Sequence, residues 1–173
     1  MDSCVHIYTG DGKGKTTAAA GLALRALAHG MRVAWFGFYK DGASGETRVL
    51  AQLGAETHFS WPEGALPWAM DARQAAQAAE SQRALLQAAR SALTDGAHDL
   101  VVLDEALSLV HGGLIPAEAL AALLSARAPG TETVVTGRAA PQALCDAADY
   151  VSRIDAVKHP MEAGLPARKG IEY

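Results

Sequence analysis

A chain of 173 residues, half of them apolar, is long enough to bury a sizeable core, and a single globular domain spanning 1–173 is expected. Its formal net charge of -4 and pI near 5.8, with the basic residues scattered, exclude the electrostatic footprint of a nucleic-acid or anionic-membrane binder. Cys4 and Cys145 lack partners at ligand spacing, which leaves two inert buried thiols; the start MDSCVHIYTG has no signal pattern and no apolar run approaches the ~20 residues that span a bilayer, so a soluble cytoplasmic protein is expected.

Short β-branched or aromatic runs alternate with longer alanine- and leucine-rich helical patterns. In chain order, residues 5–8 read as a strand, 16–29 as a helix, 32–38 as a strand, 46–53 as a helix and 56–59 as a strand. A helix over 71–93 follows, then a strand over 100–103, a helix over 116–126, a strand over 132–136, a helix over 141–147 and a strand over 150–154. Pro116 and Pro141 fall where first helical turns tolerate proline, and Gly30 and Gly54 fall where helices stop. Residues 60–70 and the tail over 155–173 show no clear pattern. This alternation predicts an α/β fold with a mostly parallel sheet of about six strands and helices on both faces. Ligands of such sheets bind beyond the carboxyl ends of the strands.

The stretch YTGDGKGKTTAAAGLALRALAHG joins the first strand to the first helix through a glycine-rich turn. Gly10, Gly12 and Gly14 let backbone N–H groups converge on phosphate oxygens, the helix start adds its positive dipole, and Lys15 supplies a point charge. Thr16 then offers its hydroxyl to a divalent cation. One departure is visible: GxxxxGK[ST] places its first glycine at position 9, where this chain has Thr9. The bland alternative is a flexible turn before an ordinary helix.

LVVLDEA supplies the second half of such a site, an apolar strand ending in acids. Asp104 is the expected metal carboxylate. Glu105 beside it either shares the metal or activates water, as in a hydrolytic ATPase of RecA-like P-loop NTPase fold. Arg138, in VVTGRAA, ends the next strand at the same sheet edge, either to grip a phosphate or carboxylate or as a surface charge.

Together with these motifs, the TGR of Thr136 to Arg138 and the tail VKHPMEAGLPARKGIEY make the chain similar to the P-loop corrinoid adenosyltransferases over nearly its whole length. The tail is the specific signal, since phosphate loops serve many unrelated functions. The resemblance implies that Co(I) of a reduced corrinoid attacks the 5′ carbon of ATP and the whole triphosphate leaves, in adenosylcobalamin biosynthesis or salvage. It implies no certain catalytic residue, because the substrate's Co(I) is the nucleophile. ATP is the co-substrate and Mg²⁺, or Mn²⁺ in its place, the metal, held by Thr16, Asp104 and Glu105. Gly10, Asp11, Gly12, Lys13, Gly14, Lys15, Thr16 and Thr17 cradle the triphosphate, with Arg25 and Arg138 as further nucleotide contacts; Arg25 reads equally as an exposed helical charge. His159 is a structural or nucleotide-contacting residue, not a cobalt ligand.

The resemblance also implies an F-x-W aromatic pair against the corrinoid. Phe59-Ser60-Trp61 reproduces the letters, but counting from neighbouring residues places the pair at Leu66-Pro67-Trp68, the preferred register, with Leu66 in place of the phenylalanine and Trp68 facing the corrinoid. Met161 stands where an aromatic residue is frequent. The first strand begins at Val5, whereas family members carry a longer N-terminal segment, so closure of the site is expected from elsewhere. A homodimer and a flavoprotein or other reductant are implied partners; no nucleic acid or membrane is. Two other functions compete: a RecA-like ATPase or nucleotide-dependent switch that hydrolyses the γ-phosphate, and a corrinoid carrier that uses ATP only to order its loops.

Overall fold

The computed structural model describes residues 3–62 and 69–172. Its elements follow the expected order: β1 (Val5–Thr9), α1 (Lys15–Ala28), β2 (Val33–Gly37), α2 (Gly45–Gln52), β3 (Glu56–Phe59), α3 (Ala72–Thr94) and β4 (Leu100–Asp104). Then come α4 (Leu107–His111), α5 (Ala117–Ser125), β5 (Glu132–Thr136), α6 (Gln142–Asp146), β6 (Tyr150–Arg153) and a 3-10 turn at Pro160–Ala163. The short α4 and the 3-10 turn lie outside the elements read from the sequence.

The six strands form one sheet in the order β3-β2-β4-β5-β1-β6, and every pairing is parallel. All five residues of β2 and of β4 are buried, because helices cover both sheet faces. Period-2 alternation divides them between two cores. Ala34, Phe36, Val101 and Leu103 pack with Leu93 of α3 and with Leu120 and Leu124 of α5, whereas Val33, Trp35, Leu100 and Val102 pack with Ala19, Ala23 and Ala26 of α1. The alanines let α1 lie close on the sheet, which fixes where its amino end points.

Local chemistry explains the helix ends. Gly30 (φ 74) closes α1: its N–H donates to the Leu27 carbonyl and the Met31 N–H to that of Ala26, the paired bonds of a left-handed cap. Asp71 and Gln74 form a reciprocal capping box at the start of α3. Pro116 and Pro141 sit one residue ahead of their helices, at the N-cap, rather than inside the first turn. Cys4 and Cys145 are half-buried, not buried, and Cys145 Sγ lies 3.9 Å from the Ala140 carbonyl.

Candidate active site

The phosphate loop hangs between the end of β1 and the start of α1, and the end of β6 backs it. The Gly12 N–H donates to the Ile154 carbonyl at 2.8 Å, and the Ile154 N–H to that of Thr9 at 2.8 Å. A Cβ on Gly10 would lie 2.4 Å from the Ile154 carbonyl oxygen and one on Gly12 2.7 Å from the Asp155 backbone, so only glycine fits at either position. The departure at Thr9 has a local reason. Its hydroxyl accepts a hydrogen bond from Ala140 N–H at 3.0 Å, tying the loop after β5 to the end of β1.

Lys15 folds over this loop and donates to the carbonyls of Gly10 (2.7 Å) and Gly12 (2.8 Å). Burial holds its pKa below the usual lysine value; Glu105 opposes that shift and Arg138 adds to it.

Asp104, fully buried at the end of β4, is the hub of the site. Its Oδ1 accepts from Thr136 Oγ1 at 2.6 Å and Thr16 Oγ1 at 3.0 Å, and its Oδ2 pairs with Lys40 Nζ. Thr136 Oγ1 in turn accepts the Glu105 N–H at 2.9 Å. Glu105 has φ 61, and Ser108 Oγ donates to its carboxylate at 2.9 Å. Among the described residues, Tyr39 (φ 54), Glu105 and Ala139 (φ 44) are the non-glycine residues with positive φ, and they follow β2, β4 and β5 at one sheet edge. Backbone strain of roughly 1–3 kcal/mol per residue is thus concentrated around one cavity, as at many functional sites.

That cavity has a volume of about 600 Å³ and runs from the phosphate loop to the chain's tail. Lys13, Lys15, Lys40 and Arg138 supply its fixed positive charges. Among the described residues, Asp11, Glu46, Glu105 and Glu172 match them four for four. A polyphosphate therefore meets no net positive excess, and the oxygen donors of Thr16 and Asp104 suit a hard divalent cation that would supply one. The tail closes the far wall: His159, Gly170 and Ile171 line the cavity, and Glu172 is held by Arg168 (Nη2 to Oε1, 3.1 Å), which draws its carboxyl below the usual glutamate value.

The structure therefore brings together Asp11, Gly12, Lys13, Gly14, Lys15, Thr16, Thr17, Glu105 and Arg138 around one cavity, with Gly10 and Asp104 beneath it. His111 Nε2 donates to the Arg138 carbonyl at 2.9 Å, fixing that turn. Arg25 is not brought to this site: α1 carries it to the opposite sheet edge, where it lines a separate cavity of about 350 Å³ with Glu132 and Asp99. At ~1.5 Å per residue, the nine helical steps from Thr16 place it about 13 Å further along α1. Phe59 lies within van der Waals reach of Gly37 and Gly42, and Trp61 meets Tyr39 with ring centroids 5.2 Å apart. Leu66 and Trp68 lie outside the described residues.

Sequence reasoning missed Lys40, Glu46 and Gln82. Lys40 had a faint signal, a lysine in FYKDG just past a buried strand. Gln82 had none: it sits mid-helix yet fully buried, accepting the Tyr39 N–H at 3.1 Å and donating to Ser60 Oγ at 2.8 Å, so it braces the turn that carries Lys40.

A lysine-bearing glycine loop at a helix start, facing a buried strand-end aspartate one strand removed, defines a P-loop nucleotide-binding protein of α/β fold. The particular family comes from comparison with known proteins. The family model described as ATP:corrinoid adenosyltransferase BtuR/CobO/CobP matches residues 1–173, and the chain belongs to that family. Corrinoid adenosyltransferase CobA of Salmonella typhimurium (strain LT2) is 40% identical over 171 residues, covering 98% of this chain and 85% of the relative. The corrinoid adenosyltransferases of Escherichia coli (strain K12) and Pseudomonas aeruginosa (strain PAO1) are 36% and 34% identical, covering 98% and 96% of this chain and 85% and 82% of theirs. No described helix is long and apolar enough to cross a membrane.

Proposed function

We propose that this chain transfers the 5′-deoxyadenosyl group of ATP to the Co(I) of a reduced corrinoid and releases triphosphate. The carrying observation is that a family match runs the length of the chain while the tail, its most family-specific segment, lines the phosphate cavity. In the reaction the Co(I) electron pair forms the Co–C bond, the C5′–O bond breaks, and triphosphate leaves with the C5′–O bonding pair. Co(I) needs no general base, so the protein's part is to orient ATP, neutralise the leaving group and exclude water.

The residues divide this work. The loop from Gly10 to Thr17 surrounds the triphosphate and its amides from Lys13 onward hold it, because the Gly12 N–H is spent on Ile154, with Lys15 moving from its loop carbonyls to phosphate oxygen and Arg138 adding a bidentate contact. Thr16 and Asp104, with Glu105 beside them, hold Mg²⁺ or Mn²⁺, which supplies positive charge to the leaving group when bound. Phe59 and Trp61 are engaged with Gly37, Gly42 and Tyr39, which supports Leu66 and Trp68 as the corrinoid face. The single domain acts as a homodimer in the cytoplasm, and a flavoprotein or other reductant delivers the electron that makes Co(I).

Incubation with ATP, Mg²⁺ and a chemically reduced corrinoid tests the reading. Triphosphate and a light-sensitive Co–C product are expected; ADP and phosphate released without corrinoid would overturn it in favour of a nucleotide hydrolase.

A further inference from the structure

Lys40 follows β2 in the turn strained at Tyr39, and its ammonium donates to Asp104 Oδ2 and, at 3.1 Å, to Thr16 Oγ1. These belong to the same hydroxyl and carboxylate that a divalent cation beside a phosphate loop would take. Asp104 has little else to offer. It is fully buried, and its Oδ1 already accepts from both Thr16 and Thr136, so Oδ2 is the oxygen left for a cation. An ammonium and a divalent ion on that oxygen would sit within a few ångströms of each other, where like charges repel strongly.

We propose that Lys40 is an exchangeable counter-ion: it and the divalent cation compete for Asp104, and loading of metal and nucleotide shifts the Lys40 ammonium from Asp104 to the triphosphate. The second half of this exchange rests on the ATP-dependent function above. Lysine suits the role, being a compact charge on a flexible four-carbon stem. The side chain is 29% exposed and lines the cavity, so its head has a path to the bound anion. The arrangement keeps a buried carboxylate paired at every stage, since removing one partner of such a pair strands a charge. It also delivers a cation to the leaving group only when nucleotide and metal have arrived. Lys40 is thus a competitor of the metal at Asp104 and a binding residue for the triphosphate.

The test titrates the full chain with Mn²⁺ by electron paramagnetic resonance, without nucleotide or corrinoid. Lys40→Met is expected to bind Mn²⁺ roughly tenfold or more tightly than the unmodified chain, because a competing charge is gone. Mg²⁺ is expected to raise the unfolding midpoint of Lys40→Met by more than it raises that of the unmodified chain. Both gains vanish in Lys40→Met/Asp104→Asn. Lys40→Gln keeps a hydrogen-bond donor for Asp104 and carries the same expectation if the methionine variant does not fold. A folded Lys40 variant with unchanged Mn²⁺ affinity, or a gain that survives Asp104→Asn, overturns the exchange. Adenosyl transfer by the unmodified chain is measured alongside: its absence beside a gain in Mn²⁺ affinity sinks the function and supports the competition, and its presence beside unchanged affinity does the reverse.

Discussion

Two threonines on β5 give opposite expectations for one substitution. Thr136 and Thr133 are both fully buried, and valine reproduces the shape of either. Thr136 Oγ1 donates to Asp104 at 2.6 Å and accepts the Glu105 N–H at 2.9 Å. Thr133 Oγ1 has no partner among the described residues. Thr136→Val removes a hydrogen bond to a carboxylate, ~1.5–3 kcal/mol, and strands a backbone donor, ~1–3 kcal/mol, so about 3–5 kcal/mol of stability is lost. That is a large part of the roughly 5–15 kcal/mol by which domains are stable, and at ~2–4 °C per kcal/mol it lowers the melting midpoint by roughly 6–20 °C. Thr133→Val removes a buried hydroxyl that bonds nothing, and should stabilise by about 1 kcal/mol, or ~2–4 °C. Urea unfolding of the two variants beside the parent measures both. A Thr136→Val within about 1 kcal/mol of the parent, or two variants that shift the same way, would refute the bonding read at Asp104.

Four further outcomes are expected. Lys15→Ala abolishes adenosyl transfer, and a variant with full transfer in a triphosphate-release assay removes Lys15 from the phosphate site. Arg25→Ala leaves the KM for ATP unchanged, because its side chain lines the cavity at the opposite sheet edge; a severalfold rise restores it as a nucleotide contact. Trp68→Ala weakens corrinoid binding more than ATP binding in parallel titrations, and the same effect from Trp61→Ala instead selects the other register. The side-chain hydrogen bonds from Arg32 hold Asp99 at about 2 against an ordinary 3.8, so its contribution is present above pH 3.8 and fades as pH falls towards 2. Asp99→Asn should therefore flatten the acid end of a plot of urea midpoint against pH at low salt, and a slope matching the parent's counts against the pair.

The fold was legible because β2 and β4 are continuous apolar runs buried on both faces, and because glycines stop α1 and α2. Helix α4 escaped since the five residues of Leu107–His111 are too few to display a helical period. The phosphate loop and Asp104 were legible as contiguous motifs. Lys40 was not: it reaches Asp104 because β2 lies beside β4 with Gly37 paired to Asp104, and strand order is not written in local sequence. Arg25 stayed ambiguous for a related reason, since residue type and helix membership were readable but the direction in which α1 carries it was not. Gln82 was not legible, because the turn it braces is brought to it by the fold and leaves no mark in the local sequence.

The bond between Gly12 N–H and the Ile154 carbonyl bears on how fast product leaves. With that amide committed, the backbone grip on an anion starts at Lys13 and continues into the unpaired first-turn amides of α1. In the proposed reaction the remaining grip falls to the side chains of Lys13, Lys15, Lys40 and Arg138, which line the cavity. Rotation of exposed side chains is among the fastest motions a protein has. A whole triphosphate can therefore be let go by side chains swinging aside, while the loop, pinned by the end of β6, keeps its shape for the next ATP.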